Sequence, residues 1–505
     1  MHGKRAREAG NRADGGPMYR RTNQEQVEFE SFHLSFGGKL RSDNRWVKLS
    51  KLVPWDEIEG RYAELLDEKR GAPAISARIA LGSLIIKEKL GLTDEETVEQ
   101  IRENHYLQFF LGYQAYCDEQ PFDPSMMVHF RKRLGHFEVG EINELITSPY
   151  TEVRDEGSEN GEPGGDDRTD GENHGQLKMD ASCTPADIRY PTDLSILNEV
   201  REKTEEIIDV LHGPDIGKKT KPRTYRRKAR KDYLSVAKKR RAGRKAIRKG
   251  IGKQLRCIGR NLRSIHDLAG NPPDSRLGLL SHRKHRNLLV AHEVYRQQKQ
   301  MYDQRIHRVS DRIVSVSQPH VRPIVRGKAS APVEFGAKIS VSKVGRFSYL
   351  DRLSWDAYNE NKDLKPGIES YRQKYGWYPE SVHVDAIYRT RENRRYCKER
   401  GIRMSGPPLG RPKLNPPRDE KRQTYKDERE RVEIEGVFGR GKRGFSLARV
   451  MAKRADTSAT AIAIVFLVMN LETILQILLR LFAGVGLRQV ISRLFPSDPD
   501  VAPAA

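Results

Sequence analysis

The sequence predicts a mixed α/β protein in which a sheet-forming region follows an all-α N-terminal region. Three observations lead to this prediction. Apolar residues recur at helical spacing through much of the first 150 residues, and short apolar segments of strand length follow an acidic, glycine-rich stretch near residue 160. A densely basic stretch of helical character separates the first of these strands from the others. We therefore expect a mixed sheet with a helical insertion after its first strand.

Length and charge limit the classes of protein to consider. At 505 residues the chain is long enough for roughly three domains, and its formal net charge is +23. Such a field attracts polyanions, of which DNA is the expected one and an acidic membrane surface the rival. The four cysteines form no CxxC pair, which indicates neither a zinc site nor a disulfide framework and is typical of a reducing cytosol. The first residues lack the apolar core of a signal peptide.

The N-terminal region is predicted to be a basic, disordered tail over residues 1–45 and a helical DNA-binding domain over residues 46–150. Apolar residues at helical spacing run from Ile75 to Leu90, where Gly91 ends the helix. Thr93 and Glu96 then form a capping box for the next helix. Two helices joined by such a short turn resemble a helix-turn-helix.

A further helix follows the Asp123–Pro124 start signal and is strongly basic. A basic helix after a helical pair suits contact with a DNA groove or with phosphates. The residues predicted to make this contact are Arg131, Lys132 and Arg133. A helical bundle with a solvated basic face is the alternative.

Two stretches of unusual charge mark the middle of the chain. Residues 151–175 are acidic and glycine-rich and are expected to form a linker or long loop. The basic helical insertion is placed at about residues 194–318. About half of its residues from Lys218 to Lys253 are Lys or Arg, and Asp232 is the only acid there. We interpret this stretch as a grip on DNA phosphates rather than a passive linker. Its predicted DNA-binding residues are Arg226, Arg227, Lys238, Lys239, Arg240 and Arg241.

The sheet-forming region is predicted over residues 176–455. Strands are expected at residues 176–182, 333–341, 347–355 and 381–386, with the second and third forming an antiparallel pair. The first strand carries Asp180 near its end, and the fourth ends at Asp385. This order of strands and helices is that of a ribonuclease-H-like fold. Because the first and fourth strands lie side by side in such a sheet, we expect Asp180 and Asp385 to converge.

A helix near the end of this region contributes the third predicted acid, Glu435. Arg431, Glu435 and Lys442 are spaced i, i+4 and i+11, which places them on one helix face. An ordinary i,i+4 ion pair between Arg431 and Glu435 is the simpler explanation of this spacing. With Asp180 and Asp385, however, Glu435 completes a set of three carboxylates suited to two Mg²⁺ ions, with Mn²⁺ as a substitute. Glu433 is the alternative acid, but it points about 200° away around the helix.

These residues resemble the DDE transposases of bacterial insertion sequences, in the broad group of the IS-five-like and related elements. The resemblance rests on Met179–Ala181 with Thr184, on Val384–Tyr388, on Gly406–Gly410 and on Arg431–Lys442. The tract Arg322–Lys328 with Glu334–Gly336 also resembles this family. Two departures are Glu428, where the family often has Tyr, and Ile387, where many members have Gly.

The resemblance implies that Asp180, Asp385 and Glu435 are the catalytic, metal-binding triad, and that Arg431 and Lys442 bind DNA. The implied function is binding of terminal inverted repeats, metal-dependent phosphodiester cleavage and strand transfer. The implied partners are double-stranded DNA at the element ends and the target, with a homodimer or higher assembly on DNA, in the bacterial cytoplasm at the nucleoid. The alternatives are a non-catalytic DNA-binding protein derived from a decayed transposase, an RNA-directed function, and binding to a membrane surface.

One apolar segment, residues 461–469, could be mistaken for a membrane span. It is interrupted by Asn470 and Glu472, well short of the roughly 20 residues that a span needs. We expect a buried helix there, within a C-terminal apolar helix and tail over residues 456–505, and no membrane partner.

Overall fold

The computed structural model describes residues 28, 32–34, 38–66, 74–151, 173–270, 275–325, 333–407, 410 and 417–494, with side chains as far as residue 480. Most of the predicted N-terminal tail, most of the acidic linker and the tract 326–328 lie outside these residues. The chain divides into two compact units. We call residues 1–154 with 467–505 the helical unit, and residues 155–466 the sheet unit.

Helices make up the regular structure described in the N-terminal part of the helical unit, as predicted. Two of the cap signals are confirmed: Gly91 ends α3 with φ +69°, and the Thr93 hydroxyl accepts a hydrogen bond from the Glu96 N–H at 3.1 Å, which is one half of the predicted capping box. The α6 helix begins two residues after the predicted Asp123–Pro124 start, without a side-chain cap. The α3 helix packs against α4 and α6. The helices are α1 Arg45–Leu52, α2 Trp55–Glu64, α3 Ala77–Leu90, α4 Asp94–Glu103, α5 His105–Phe110, α6 Met126–Leu134 and α7 His136–Thr151.

The sheet unit contains one mixed sheet whose strand order is β2-β3-β1-β5-β6, with β4 also paired to β3. The β3 strand runs antiparallel to β1, β2 and β4, whereas β5 is parallel to both β1 and β6. The predicted adjacency of the first and fourth strands is therefore confirmed, as is the predicted antiparallel hairpin. The strands are β1 Gln176–Pro185, β2 Arg322–Val325, β3 Val333–Val344, β4 Phe347–Ser354, β5 Ser381–Val384 and β6 Arg403–Met404.

The helical insertion lies between β1 and β2 and has an apolar core of its own. Leucine, isoleucine and valine side chains of α8, α10 and α11 form this core, so the insertion is a packed helical body. The helical insertion was predicted to extend to about residue 318, but its last helix, α11, ends at Gln304, where Arg305 adopts φ +57°. Its helices are α8 Asp193–His212, α9 Arg226–Ala237, α10 Arg244–Ala269 and α11 His282–Gln304.

Two helices cover opposite faces of the sheet beside β1. Met179 of β1 packs in one apolar cluster with Leu364 and Ile368 of α12, whereas its neighbour Lys178 contacts α14. Successive side chains of a strand point to opposite faces, so α12 and α14 lie on different sides. The remaining helices of this unit are α12 Leu364–Tyr375, α13 Arg391–Glu399 and α14 Arg418–Gly444.

The last helix, α15 Ala455–Leu494, begins in the sheet unit and continues into the helical unit. Within the described residues, its part Ala455–Arg480 is the one helix long and apolar enough to cross a membrane, and 67% of its most apolar window is buried in the protein. The two polar residues noted in the sequence have partners in the helical unit. Asn470 donates a hydrogen bond to Asn143 at 2.9 Å, and Glu472 forms an ion pair with Lys89.

Candidate active site

The β1–β5 pair brings the first two predicted acids to neighbouring positions. Met179 is paired with Val384 in the parallel register. Asp180 is the next residue of β1, and Asp385 is the first residue after β5. Adjacent strands lie about 4.8 Å apart. Because Asp180 is two residues from Lys178, its side chain points to the same face, which is the face that α14 covers. The Oδ1 atom of Asp180 accepts a hydrogen bond from the Ala181 N–H at 2.8 Å.

The α14 helix is held on this face by ion pairs to lysines of the sheet. Lys178 of β1 is almost fully buried and pairs with Glu430 and, at 2.8 Å, with Glu433. Lys343 of β3 contacts Glu433 at 2.6 Å. Burial alone would raise the pKa of Glu433, but the hydrogen bonds from the two lysines outweigh it and lower that pKa. Glu433 is therefore an anchoring residue, and its engagement favours Glu435 as the site acid.

A second polar cluster holds the earlier part of α14. Asp427 is buried and accepts hydrogen bonds from Arg403 at 3.0 and 2.7 Å. His383 of β5 lies 3.9 Å from Asp427, and burial lowers the pKa of its imidazole. With both clusters in place, the rotation of the helix is fixed over the middle of β1 and the end of β5. Asp180 was predicted near the end of its strand, but it lies in mid-strand, because pairing with β3 continues β1 to Pro185.

This rotation brings Glu435 to Asp385 through a shared arginine. The same nitrogen of Arg431, Nη1, lies 3.0 Å from Oδ1 of Asp385 and 2.8 Å from Oε1 of Glu435. The two carboxylate oxygens are therefore at most about 6 Å apart, by the triangle inequality. Both acids are 53% exposed and Arg431 is 27% exposed, so the cluster is open to solvent. The i,i+4 ion pair that the spacing suggests is present, but it is part of a three-residue cluster.

The three acids do not form a closed metal site. In the parts of the chain that the structure describes, no group of three or more His, Cys, Asp or Glu side chains is arranged to hold a metal ion. The donor chemistry is nevertheless suitable, since two carboxylates already converge on one cationic group and Asp180 lies beside them in the strand register. The guanidinium of Arg431 acts as a stand-in cation there. The residues therefore fit a divalent cation in the kind of ligand that they offer.

Lys442, the remaining residue of the predicted face, lies on the same uninterrupted helix as Arg431 and Glu435 and is half-buried.

The three predicted basic residues of α6 have different environments. Arg131 is buried and forms a two-point ion pair with Asp94, at 2.9 and 2.6 Å. The expectation that Arg131 contacts DNA is therefore corrected, because its charge is already neutralised inside the helical unit. Arg133 donates a hydrogen bond to the Tyr62 hydroxyl at 2.9 Å. Lys132 is exposed.

The predicted basic residues of the insertion are all exposed. Arg226 pairs with Asp209 at 2.8 Å, which partly neutralises it, whereas Arg227 lies on the open surface. We call residues 238–249, which join α9 to α10 and form the first turns of α10, the hairpin tip. Eight of its twelve residues are Lys or Arg and none is acidic. Its first buried neighbour along α10 is Gly250.

Several residues important for the site were not recognised in the sequence. Lys178, Lys343, Glu430, Asp427 and Arg403 position α14, yet each looks like an ordinary surface charge in isolation. A weak indication for Lys178 was present in the sequence, because the residues on either side of it, Leu177 and Met179, are apolar. A lysine buried in this way requires an acidic partner.

Comparisons with known proteins match two separate parts of the chain. Residues 382–472 match the family described as the transposase DDE domain, and this match includes Asp385, Arg431 and Glu435. Residues 34–133 match a second family, described as a transposase domain.

One curated relative is the uncharacterized protein ORF8 in the nfe locus of Rhizobium meliloti. It is 30% identical over 150 residues, which cover 29% of this chain and 64% of that protein. No solved structure matches the chain. The two family matches support a bacterial insertion-sequence transposase of the DDE type.

Proposed function

We propose that the protein binds the terminal inverted repeats of an insertion sequence, cleaves phosphodiester bonds at the element ends and joins the freed 3′-hydroxyl to target DNA. The observation that supports this most directly is the convergence of Asp385 and Glu435 on one cationic point, with Asp180 next in register. The sheet also supports a ribonuclease-H-like fold, because the antiparallel β4-β3-β1 part, with β2 on the same side of β3 as β4, continues into the parallel β1-β5-β6 part.

In this proposal Asp180, Asp385 and Glu435 hold the divalent cations, with Mg²⁺ as the natural ion. When bound, these cations would activate the attacking oxygen and stabilise the leaving oxygen of an in-line displacement. Residues of the protein position the acids and bind the DNA. The ion pairs of Lys178 with Glu430 and Glu433 orient α14, so that Glu435 stays near Asp385. Arg431 and Lys442 present cationic groups to the phosphates of the DNA end on the same helix face.

The hairpin tip is the proposed main phosphate grip. The first turn of α10, which belongs to the tip, begins with Arg244 and Lys245, contains no acidic residue and has no side-chain cap. Cations at a helix N-terminus oppose the helix dipole and weaken the helix by a few tenths of a kcal/mol each. An external polyanion would convert this unfavourable arrangement into a favourable one, because both the cations and the free N–H groups then face negative charge.

The helical unit is the proposed reader of the terminal repeats, with Lys132 as its exposed basic contact on α6. Pairing of two DNA ends implies at least a dimer in the assembled complex, and the reaction would take place in the bacterial cytoplasm.

The test is cleavage of a labelled duplex carrying the element end, with Mg²⁺ or Mn²⁺, by the wild type and by Asp180→Asn, Asp385→Asn and Glu435→Gln. We expect each variant to bind the duplex and to lose cleavage. Glu428→Gln is the matched control, since Glu428 is an exposed glutamate of the same helix, and it should cleave normally. Normal cleavage by any of the three variants would remove that residue from the site. Binding without metal-dependent cleavage by the wild type would leave only a DNA-binding function.

A further inference from the structure

Arg431 occupies the position between two acids that the proposed function assigns to a metal ion. Its Nη1 atom is within hydrogen-bond distance of both Asp385 and Glu435, at 3.0 and 2.8 Å. Because one nitrogen serves both carboxylates, the guanidinium and a divalent cation would compete for the same oxygens. Both cations cannot bind these two carboxylate oxygens at once unless the side chains rearrange.

The carboxylates need a counter-ion whenever no metal is bound. Two negative charges at most about 6 Å apart repel one another, and an opposite charge between them removes this repulsion. Arg389 also lies near Asp385, but its guanidinium donates a hydrogen bond to the Val384 carbonyl at 2.8 Å. Arg431 is therefore the cation that bridges the pair in the DNA-free protein.

The bridge is suited to exchange. All three side chains are partly exposed, and ion pairs in such positions contribute little net stability. A guanidinium also forms strong two-point hydrogen bonds with phosphate, so a DNA strand at the site would compete well for it. Arg431 has a long, flexible stem and can turn from the carboxylates to a phosphate without moving the helix, which Lys178 and Arg403 hold in place.

We propose that Arg431 is an exchangeable counter-ion that couples DNA binding to metal binding. Without DNA it neutralises Asp385 and Glu435 and opposes the entry of a divalent cation. When a DNA phosphate takes the guanidinium, the two carboxylates are released to the cation. This inference rests on the proposed function and adds its regulation: the site loads metal preferentially when DNA is present, which would suppress unproductive cation binding.

The experiment measures Mn²⁺ binding to the full chain by electron paramagnetic resonance of the free ion, with and without duplex DNA. We compare the wild type with Arg431→Gln. The exposed Arg429 of the same helix supplies the matched control, Arg429→Gln. Allosteric couplings are typically about 5- to 150-fold, so we expect Arg431→Gln to bind Mn²⁺ more tightly than the wild type by a factor in that range without DNA. DNA should tighten Mn²⁺ binding to the wild type and to Arg429→Gln, and should have little effect on Arg431→Gln.

Unchanged or weaker Mn²⁺ binding by Arg431→Gln would overturn the inference, as would an equal effect of DNA on both proteins. Circular dichroism and thermal unfolding confirm that the variants are folded. Asp385→Asn and Glu435→Gln, each added to Arg431→Gln, separate this failure from failure of the proposed site. If Mn²⁺ binding does not depend on these acids, the proposed metal site itself is wrong. If it depends on them but not on Arg431, the site stands and the counter-ion role is wrong.

Discussion

Neutralising the hairpin tip should reduce the salt dependence of DNA binding by a predictable amount. The perturbation is the replacement of Lys238, Lys239, Arg240 and Arg241 by glutamine. These four consecutive side chains are exposed, and none of them has an ion-pair partner among the residues that the structure describes. Each surface substitution of this kind changes the free energy of unfolding by no more than about 0.5 kcal/mol, so the four together change it by at most about 2 kcal/mol and the fold should be retained.

The magnitude follows from counter-ion release. Each phosphate contact contributes about −0.9 to the slope of log K against log salt concentration. If each of the four cations engages one phosphate, the slope becomes less steep by about 3.6. Between about 50 and 200 mM salt, the affinity loss of the variant would then be roughly 150-fold smaller than that of the wild type. These values are upper limits, because a cation that makes no contact contributes nothing.

The assay is fluorescence anisotropy of a labelled duplex across a salt series, with far-ultraviolet circular dichroism to verify folding. Two double variants that remove the same number of charges at different places test whether the position of the charge matters. Arg240→Gln with Arg241→Gln should reduce the slope by about 1.8. Arg256→Gln with Arg263→Gln removes the same charge from exposed positions further along α10 and should leave the slope nearly unchanged. An unaltered slope in the quadruple variant, or equal effects of the two double variants, would refute the assignment of the tip as the phosphate grip.

Further predictions concern the stability of each unit and can be measured by urea unfolding. Burial would raise the pKa of Asp94, but hydrogen bonds from Arg131 and Lys87 outweigh the effect of burial and lower that pKa. The ionised Asp94 therefore stabilises the folded protein at neutral pH, and this stabilisation is lost as the pH falls below about 4. Asp94→Asn should remove this part of the acid sensitivity, and an identical pH profile would contradict the argument. Arg131→Ala should destabilise the helical unit by about 2–3 kcal/mol. This is less than the full cost of breaking a buried ion pair, because Asp94 is 22% exposed. The control Lys132→Gln should change the free energy of unfolding by no more than about 0.5 kcal/mol. Gly336→Ala should destabilise the sheet unit by at least about 1–3 kcal/mol, because the new Cβ would lie 2.0 Å from a backbone oxygen of β1. Gly436→Ala should instead stabilise it by about 0.5–1 kcal/mol, because the Cβ meets no atom within 4 Å in mid-helix, and destabilisation there would show that this helix face is constrained.

Local features of the fold were predictable because they depend on neighbouring residues. The end of α3 at Gly91 and the cap at Thr93 arise from backbone conformation and one hydrogen bond within three residues. The hairpin of β3 and β4 turns at Gly345, which adopts φ +53°. The short strand β6 was missed, because a two-residue strand has no periodicity and forms only through its pairing with β5. The strand β2 was missed for the same reason, since it pairs with the first four residues of β3.

Site residues were predictable in kind more than in arrangement. The order of Asp180, Asp385 and Glu435 along the chain, with Arg431 one turn before Glu435, could be read directly from the sequence. The choice between Glu433 and Glu435 could be argued from helical angles, but the structure adds the physical reason, which is the engagement of Glu433 by two lysines of the sheet. For Arg131 the sequence suggested a surface role that its buried pairing does not support.

The sequence by itself determined the α/β class, the positions of most helices and strands, the basic character of the insertion and the three acids of the proposed site. These properties follow from periodicity, capping and charge, which act over a few residues. Only the tertiary structure decided that Arg131 is neutralised by Asp94, that Lys178 anchors α14 and that Arg431 lies between Asp385 and Glu435. Each of these outcomes depends on the distance between side chains that are far apart in the chain, and electrostatic interaction between charges depends on that distance and on burial rather than on residue type.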